Sequence, residues 1–341
     1  MTTATPGIRA KISGTGMHVP ERVVSNDDLA ELMETSDEWI RQRSGIATRH
    51  WVEPGQKPSE LAAHAVEQAL ERAGCEASEI DLIVLATLSG EADFPGTSFF
   101  LHERLELSDT PCFDLRAQCS GFVYALSVAN AFVRSGQYRR VLVIGCEIHS
   151  TGIDVSTEGR DVAVLFGDGA GAIVVEANED PADPGEILEV RLHAEGRFAD
   201  KLWIEAPGSG FQPVRITQEL IDEKRHFPRM QGRFVFKHAT RRMPEVLMET
   251  LSAASVKLED VDHFLFHQAN LRINEYVAGQ LQIPPERCPA NIDRYGNCSA
   301  ASIPMLLDEG VRAGRIQPGQ LVAMTSFGSG FSWTSALVRW S

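Results

Sequence analysis

The sequence lacks paired cysteines. Cys75, Cys112, Cys119, Cys146, Cys288 and Cys298 form no CxxC pair and no zinc-type spacing. That excludes a disulfide framework and a structural zinc site, and leaves reduced, cytosolic thiols. No apolar run is long enough to span a bilayer, so no membrane association is expected. Residues 1–7 lack a charged start followed by an apolar stretch, so no signal peptide is expected and the expected compartment is the cytoplasm. Positive charge is also scarce, with a formal net charge of −15. A general nucleic-acid binder needs a basic face to meet phosphates, and this chain does not read as one. A local basic patch that docks an acidic protein partner remains compatible with that balance.

What is present is ample apolar material. The 341 residues are 43% hydrophobic, enough for a sizeable core in one large domain or two fused halves. The pattern repeats along the chain. Glu60 to Leu70 has apolar residues at helical spacing, and Glu79 to Ala86 is an acidic entry to a buried-type strand. Met243 to Ala254 and Glu259 to Phe266 repeat that order. Asp114 precedes Cys119 by the interval at which Asp293 precedes Cys298. Each pair leads into a helical pattern ending near a glycine, Gly136 or Gly314, and then into a strand. Each half closes with a Gly-rich turn, Gly167 to Gly171 or Gly328 to Gly330, and a further strand.

Alternating helices and strands in two copies predict an α/β fold with partly parallel sheets and a pseudo-two-fold axis. The Asp/Pro/Gly cluster from Asn178 to Gly185 predicts the connector, giving halves 1–180 and 181–341. The stretch from Ala206 to Gly232 predicts a surface excursion with a short helix, either a lid or a variable surface.

Three segments carry candidate chemistry. Cys119 lies in Gln118-Cys119-Ser120-Gly121-Phe122 near a predicted helix start. The helix dipole and free N–H groups there favour a thiolate, with a pKa below that of a free cysteine. The competing reading is a small buried apolar residue. His267 follows the predicted strand His263 to Phe266, as either a catalytic group or a capped strand edge. Asn297 lies in Tyr295-Gly296-Asn297-Cys298-Ser299, as either a donor or a cap. The repeat joins them: if Cys119 and Cys298 occupy equivalent places, Asn297 lies across the axis from the thiol, beside the His267 strand. A Cys, a His and an Asn in one cleft suit an acyl-enzyme on Cys119. His267 Nε2 and the Asn297 amide could then donate to the enolate oxygen formed when a malonyl-type thioester loses carbon dioxide. A backbone N–H from Gly328-Ser329-Gly330, with that of Cys119, could hold the tetrahedral oxyanion.

Gly167 to Gly171 precedes a strand, so it fails the dinucleotide fingerprint and points to close backbone packing. Arg233, Lys237 and Arg241 recur every fourth residue with Arg242 alongside, and Arg272 follows the His267 segment. Such a stripe is either a solvated face or a docking site for an acidic carrier protein.

These motifs together resemble the β-ketoacyl-acyl carrier protein synthase III family of the thiolase fold. The resemblance rests on Asp37-Glu38-Trp39-Ile40, Arg43-Ser44-Gly45-Ile46, Cys119-Ser120-Gly121-Phe122, Phe166 to Ala172, His267 to Ile273, Gly296 to Ser302 and Phe327 to Leu337. It implies a homodimeric five-layered α-β-α-β-α sandwich that uses no metal or other cofactor. It further implies decarboxylating condensation of an acyl-CoA primer with malonyl-acyl carrier protein or malonyl-CoA, in fatty-acid initiation. By that likeness Cys119 is acylated, and His267 and Asn297 assist decarboxylation. Trp39 and Arg160 match the pair stacking on the coenzyme A adenine, with Arg43 near its phosphates. Gly232, Phe236, Ala269 and Asn270 match the pantetheine channel, and Lys237 and Arg272 the carrier-docking surface. Phe94 matches a residue that reaches across the dimer to cap the partner's acyl pocket.

The chain departs from the common pattern at Arg116-Ala117-Gln118 before the nucleophile, at Arg233 where many relatives have Asn, and at Cys298 where many have Thr. The first departure looks like paralogues that prime specialised metabolites. An acyltransferase that forms no carbon–carbon bond, a cysteine hydrolase and a non-catalytic binding protein are the rival classes.

Overall fold

Strand pairing follows the repeat in the sequence. The computed structural model describes residues 7–341. Five strands, β1 (Arg9–His18), β2 (Leu82–Ala86), β3 (Cys112–Leu115), β4 (Arg140–Glu147) and β5 (Gly169–Asn178), form one sheet in the order β1-β5-β4-β2-β3. Four more, β6 (Glu186–Ala194), β7 (His263–Phe266), β8 (Leu321–Gly328) and β9 (Ser332–Arg339), form a second in the order β6-β9-β8-β7. In the first sheet β3-β2-β4 are parallel while β5 and β1 are antiparallel to their neighbours. In the second, β7-β8 are parallel and β9 and β6 antiparallel. The second sheet thus copies the first strand for strand, without a counterpart of β3.

Five helices cover the sheets: α1 (Pro58–Ala73), α2 (Gly121–Arg134), α3 (Gly232–Ala253), α4 (Leu271–Leu281) and α5 (Ser302–Arg312). The period-two alternation of each strand assigns its layers. Ile83, Leu85, Leu142 and Ile144 pack with Leu61, Val66 and Ala69 of α1. Their neighbours Val84, Val141 and Val143 face the other way and share a core with Phe122 and Leu126 of α2, Leu306 of α5, and Val322 and Met324 of β8. On the far side Phe264, Phe266, Ala323 and Leu337 pack on Val246 and Leu247 of α3 and Val277 of α4. The result is the expected α-β-α-β-α sandwich with α2 and α5 in the middle. Strands covered on both faces need near-continuous apolar runs, which β2, β4 and β8 supply. Each such side chain contributes on the order of 1.5–3 kcal/mol by burial.

Two excursions frame the site. The first is the hairpin Val23–Ser25/Thr48–His50 with its helices Asn26–Ala30 and Asp37–Ser44. Arg49 is fully buried there and donates to Asn26 Oδ1 and the Val164 carbonyl, both at 2.8 Å. Burial lowers its pKa to about 10, and the Asp28 and Asp37 carboxylates oppose that fall. The second is the expected irregular stretch. It holds one short helix, Gln218–Asp222, capped by Thr217, and its Arg229–Met230 strand pairs with Leu202–Trp203. Lys224 pins it by donating to Asp154 Oδ2 (3.1 Å), Ser156 Oγ (2.9 Å) and Glu158 Oε2 (3.0 Å). Among the described residues no helix is long and apolar enough to cross a membrane. Among them, too, no group of His, Cys, Asp or Glu is arranged to hold a metal ion.

Candidate active site

Cys119 sits in the one-turn helix Gln118–Ser120 that leads into α2 at Gly121. Gly328, at the end of β8, crosses directly over it. A Cβ on Gly328 would lie 3.0 Å from Cys119 Cβ and 3.1 Å from its nitrogen, a tight contact that would press on the nucleophile's backbone. Burial pushes the Cys119 thiol up to about 11, which corrects the sequence-based expectation of a lowered value. The Ser299 hydroxyl, 3.4 Å from Sγ, and the Cys119 N–H pull it down, but desolvation outweighs both.

The equivalence of Cys119 and Cys298 also needs correction. Ser299–Ala301 is the matching one-turn helix before α5, and its first residue has φ 45° where Gln118 has φ 46°. The offset that places Gln118 on Ser299 also places Gly121 on Ser302, β2 on β7 and β4 on β8. Cys119 therefore corresponds to Ala300. The letter match of the cysteines misses the backbone register by two residues.

His267 follows β7, its N–H held by the Thr325 carbonyl at 2.9 Å. Its ring is 2% exposed. Nδ1 lies 2.6 Å from Ser302 Oγ, and buried Nε2 has no partner. Burial, with a smaller contribution from nearby His149, lowers His267 to about 3, so the ring is neutral at physiological pH.

Asn297 is fixed where two chain segments cross. Its N–H donates to the Leu165 carbonyl at 2.8 Å, and its carbonyl accepts from Gly167 at 3.2 Å. A Cβ on Gly167 would lie 2.1 Å from the Tyr295 oxygen, and one on Gly171 2.8 Å from Pro304 Cβ. The Gly167 to Gly171 run is therefore there for close packing, as the sequence reading holds. Asn297 Oδ1 accepts the Ser299 N–H at 2.8 Å, which fixes the amide and leaves Nδ2 as its available donor.

Cys119, His267, Asn297 and Gly328 line one pocket of about 900 Å³. Trp39, Arg43, Gly232, Arg233, Phe236, Ala269, Asn270 and Arg272 line it too. Arg160, Lys237, Arg241, Phe94 and Ser329 do not. Arg160 and Arg43 both stack on Trp39, at 5.0 and 4.4 Å from its ring centroid. Asn270 lines the wall with its amide already engaged, Oδ1 with the Arg272 N–H and Nδ2 with the Arg43 carbonyl, both at 3.0 Å.

Arg233, Lys237 and Arg241 are exposed on α3, but Arg241 pairs with Glu245 at 2.9 Å. Arg242 is removed from the stripe: it pairs with Glu195 and Glu245 and stacks on Trp333. Phe94 is 82% exposed, and its neighbour Asp93 pairs with Arg215 at 2.9 Å. The Ser329 hydroxyl donates to the Leu202 carbonyl.

Sequence reasoning did not single out Ser299, Ser302, Phe166 or Asp161, nor Leu202 and Met230, which also line the pocket. The two serines sit inside a motif already noted, but their partners lie far away in sequence.

The layers and the sheet order define a thiolase-type fold. A family model described as 3-oxoacyl-[acyl-carrier-protein] synthase III matches residues 113–196, and its C-terminal counterpart matches 251–340. The beta-ketoacyl-[acyl-carrier-protein] synthase III of Xanthomonas campestris pv. campestris is 45% identical over 335 residues, covering 98% of this chain and 99% of that protein. The crystal structure of the Aquifex aeolicus 3-oxoacyl-[acyl-carrier-protein] synthase III superposes with a TM-score of 0.88 at 40% identity, covering 97% of this chain and all of that one. The priming β-ketosynthase from the R1128 polyketide pathway superposes equally well, at 0.88 and 32% identity, over 100% of this chain and 99% of its own. The chain belongs to the 3-oxoacyl-[acyl-carrier-protein] synthase III family of condensing acyltransferases.

Proposed function

We propose that the protein joins an acyl group from acyl-CoA to a malonyl unit on acyl carrier protein, as the initiating condensation of fatty-acid synthesis. The observation that carries this reading is one pocket lined by a thiol and by two side chains with an unengaged nitrogen, Nε2 of His267 and Nδ2 of Asn297.

In the first half-reaction Cys119 Sγ attacks the thioester carbon. The bond to the coenzyme A sulfur breaks, and the thiol proton ends on that sulfur. Backbone N–H groups of Cys119 and Ser329 receive the tetrahedral oxyanion. In the second, the malonyl carboxylate leaves as carbon dioxide and its electron pair forms an enolate. His267 and Asn297 donate to the enolate oxygen. The enolate carbon attacks the acyl carbon, the bond to Cys119 breaks, and the sulfur regains a proton from solvent. No metal or other cofactor enters these steps.

Trp39, Arg43 and Arg160 take the coenzyme A nucleotide, while Gly232, Phe236, Ala269 and Asn270 flank the pantetheine. Exposed Lys237 and Arg272 have no ion pair among the described residues and, with Arg233, suit an acidic carrier. Arg241 is a weaker contributor because Glu245 neutralises it. Exposed Phe94 suits an acyl pocket completed by a second copy in a homodimer. The division into halves 1–180 and 181–341 is supported by one sheet's last strand ending at Asn178 and the other's first starting at Glu186.

The likeness to the R1128 priming enzyme, with Arg116-Ala117-Gln118 before the nucleophile, favours a second reading in which the primer enters a specialised metabolite. Incubating the protein with acyl-CoAs from acetyl to long-chain and aromatic, and weighing it intact, tests both. A Cys119-dependent mass increment, followed by malonyl-dependent carbon dioxide and a 3-oxoacyl product, is expected. The preferred increment separates the two primers. Ester formation without carbon dioxide release overturns both.

A further inference from the structure

We propose that Ser302 is a positioning residue that sets which nitrogen of His267 carries hydrogen, and so makes His267 a donor to the enolate. This rests on the condensation proposed above. Ser302 is the first residue of α5 and is 3% exposed. Its Oγ lies 2.6 Å from His267 Nδ1 and accepts the Gln268 N–H at 3.4 Å. Among the described residues the hydroxyl makes no other hydrogen bond, so its own hydrogen has one acceptor within reach, Nδ1.

Two arrangements are conceivable for a neutral ring. With hydrogen on Nδ1, the Ser302 hydroxyl hydrogen would be buried without an acceptor, and Nε2 would face the pocket as a bare lone pair. That ring would repel an enolate oxygen. With Ser302 donating to Nδ1, every buried group on that side is satisfied, and the hydrogen moves to Nε2. Nε2 is the buried ring atom that has no protein partner and borders the pocket. The second arrangement is the one the geometry supports.

The same short segment also fixes the other donor. Ser299, three residues earlier, holds Asn297 Oδ1 through its backbone N–H at 2.8 Å and thereby frees Nδ2. Ser299 of the one-turn helix and Ser302 at the start of α5 thus orient the two enolate donors, one by a main-chain N–H and the other by a serine hydroxyl. Ser302 touches no reacting atom and acts only through His267.

The test uses full-length protein labelled with 15N-histidine, as wild type, Ser302→Ala, Ser302→Thr and His267→Ala. Three readouts are taken: acylation of Cys119 by intact mass, carbon dioxide release from malonyl-CoA, and the 15N shifts of His267, assigned by their loss in His267→Ala. Wild type should show the neutral ring with hydrogen on Nε2. Ser302→Ala should acylate within about threefold of wild type, release carbon dioxide about 10- to 100-fold more slowly, and shift His267 toward the Nδ1–H form. Ser302→Thr, which keeps the hydroxyl, should recover most of the rate and the wild-type shifts.

An unchanged His267 15N pattern in Ser302→Ala overturns the inference whatever the activity. So does carbon dioxide release within twofold of wild type while His267→Ala has lost it, an outcome that leaves the condensation standing. Full release by His267→Ala overturns the donor role given to His267, and no malonyl-dependent release by wild type overturns the condensation itself.

Discussion

The one-turn helices Gln118–Ser120 and Ser299–Ala301 share a backbone, down to a first residue with φ near 45°. Each precedes a central helix, and each is crossed by a glycine from the opposite half. Gly328 lies over Cys119, and Gly145 lies over Ala300. Their side chains have diverged. The first turn holds a thiol that borders the pocket and the second an alanine in its place, while the Ser299 N–H holds Asn297 and the hydroxyl of Ser302, just beyond the turn, holds His267. A duplicated frame thus separates the nucleophile from the groups that orient the donors. Acylation and decarboxylation should accordingly fail independently.

The sharpest break in that comparison is Cys119→Ala. Intact mass should show no acyl increment with any donor, a loss of at least about 10⁴-fold. Cys298, in the second turn's motif but 1% exposed, should not substitute for it. Next, Asn297→Ala should leave acylation within about threefold and slow malonyl decarboxylation by about 10²–10³-fold, the usual cost of one lost donor to an oxyanion. Equal loss of both half-reactions would erase the division between the turns.

The crossing glycines test the frame itself. A Cβ on Gly145 would sit 2.3 Å from the Ala300 oxygen, against backbone that cannot yield, whereas Gly328 has 3.0 Å to Cys119 Cβ. Gly145→Ala should cost about 3 kcal/mol of unfolding free energy in urea, and Gly328→Ala about 1 kcal/mol. Gly328→Ala should nonetheless slow acylation about tenfold by moving the thiol.

The two cysteines then separate by pH. Burial disfavours the Cys119 thiolate and pushes the thiol up to about 11. The reactive form is the deprotonated one, so its alkylation by iodoacetamide should rise about tenfold per pH unit, roughly a hundredfold between pH 7 and 9, without a plateau. Burial holds Cys298 well above its ordinary value and closes it to reagent, so its peptide should stay unmodified over the same range. A plateau for Cys119 near neutrality would restore the lowered pKa that the helix start alone suggests.

That contrast shows what the sequence could and could not convey. Period-two runs such as Ile83-Val84-Leu85 and Leu142-Val143-Ile144 carry the layers, because both sheet faces are buried. The Cys119, His267 and Asn297 motifs are local and were legible. The raised Cys119 pKa was not, since the local rule sees a dipole and not the tertiary desolvation that exceeds it. Cys298 misled because the repeat was matched on letters, whereas the register is set by the left-handed φ of Gln118 and Ser299. Ser302 was hidden for a similar reason: its partner His267 is distant in the chain, and only the fold brings them to 2.6 Å. Spacing alone adds Arg242 to the basic stripe, whereas the fold gives it to Glu195 and Trp333.

The smallest expected effect separates the basic residues that were grouped by spacing. Lys237 and Arg272 are exposed cations with no ion pair among the described residues, whereas Arg241 already meets Glu245 at 2.9 Å. An acidic carrier docking here gains from the two free charges and little from the compensated one. Lys237→Glu and Arg272→Glu should each raise KM for malonyl-acyl carrier protein about tenfold at low salt, with kcat and the KM for acyl-CoA nearly unchanged. Arg241→Glu should raise it about twofold or less. All three differences should shrink as ionic strength rises, because screening acts on exposed charges. An equal effect at Arg241 and Lys237 would mean that the carrier reads net charge on this helix and not its unpaired cations.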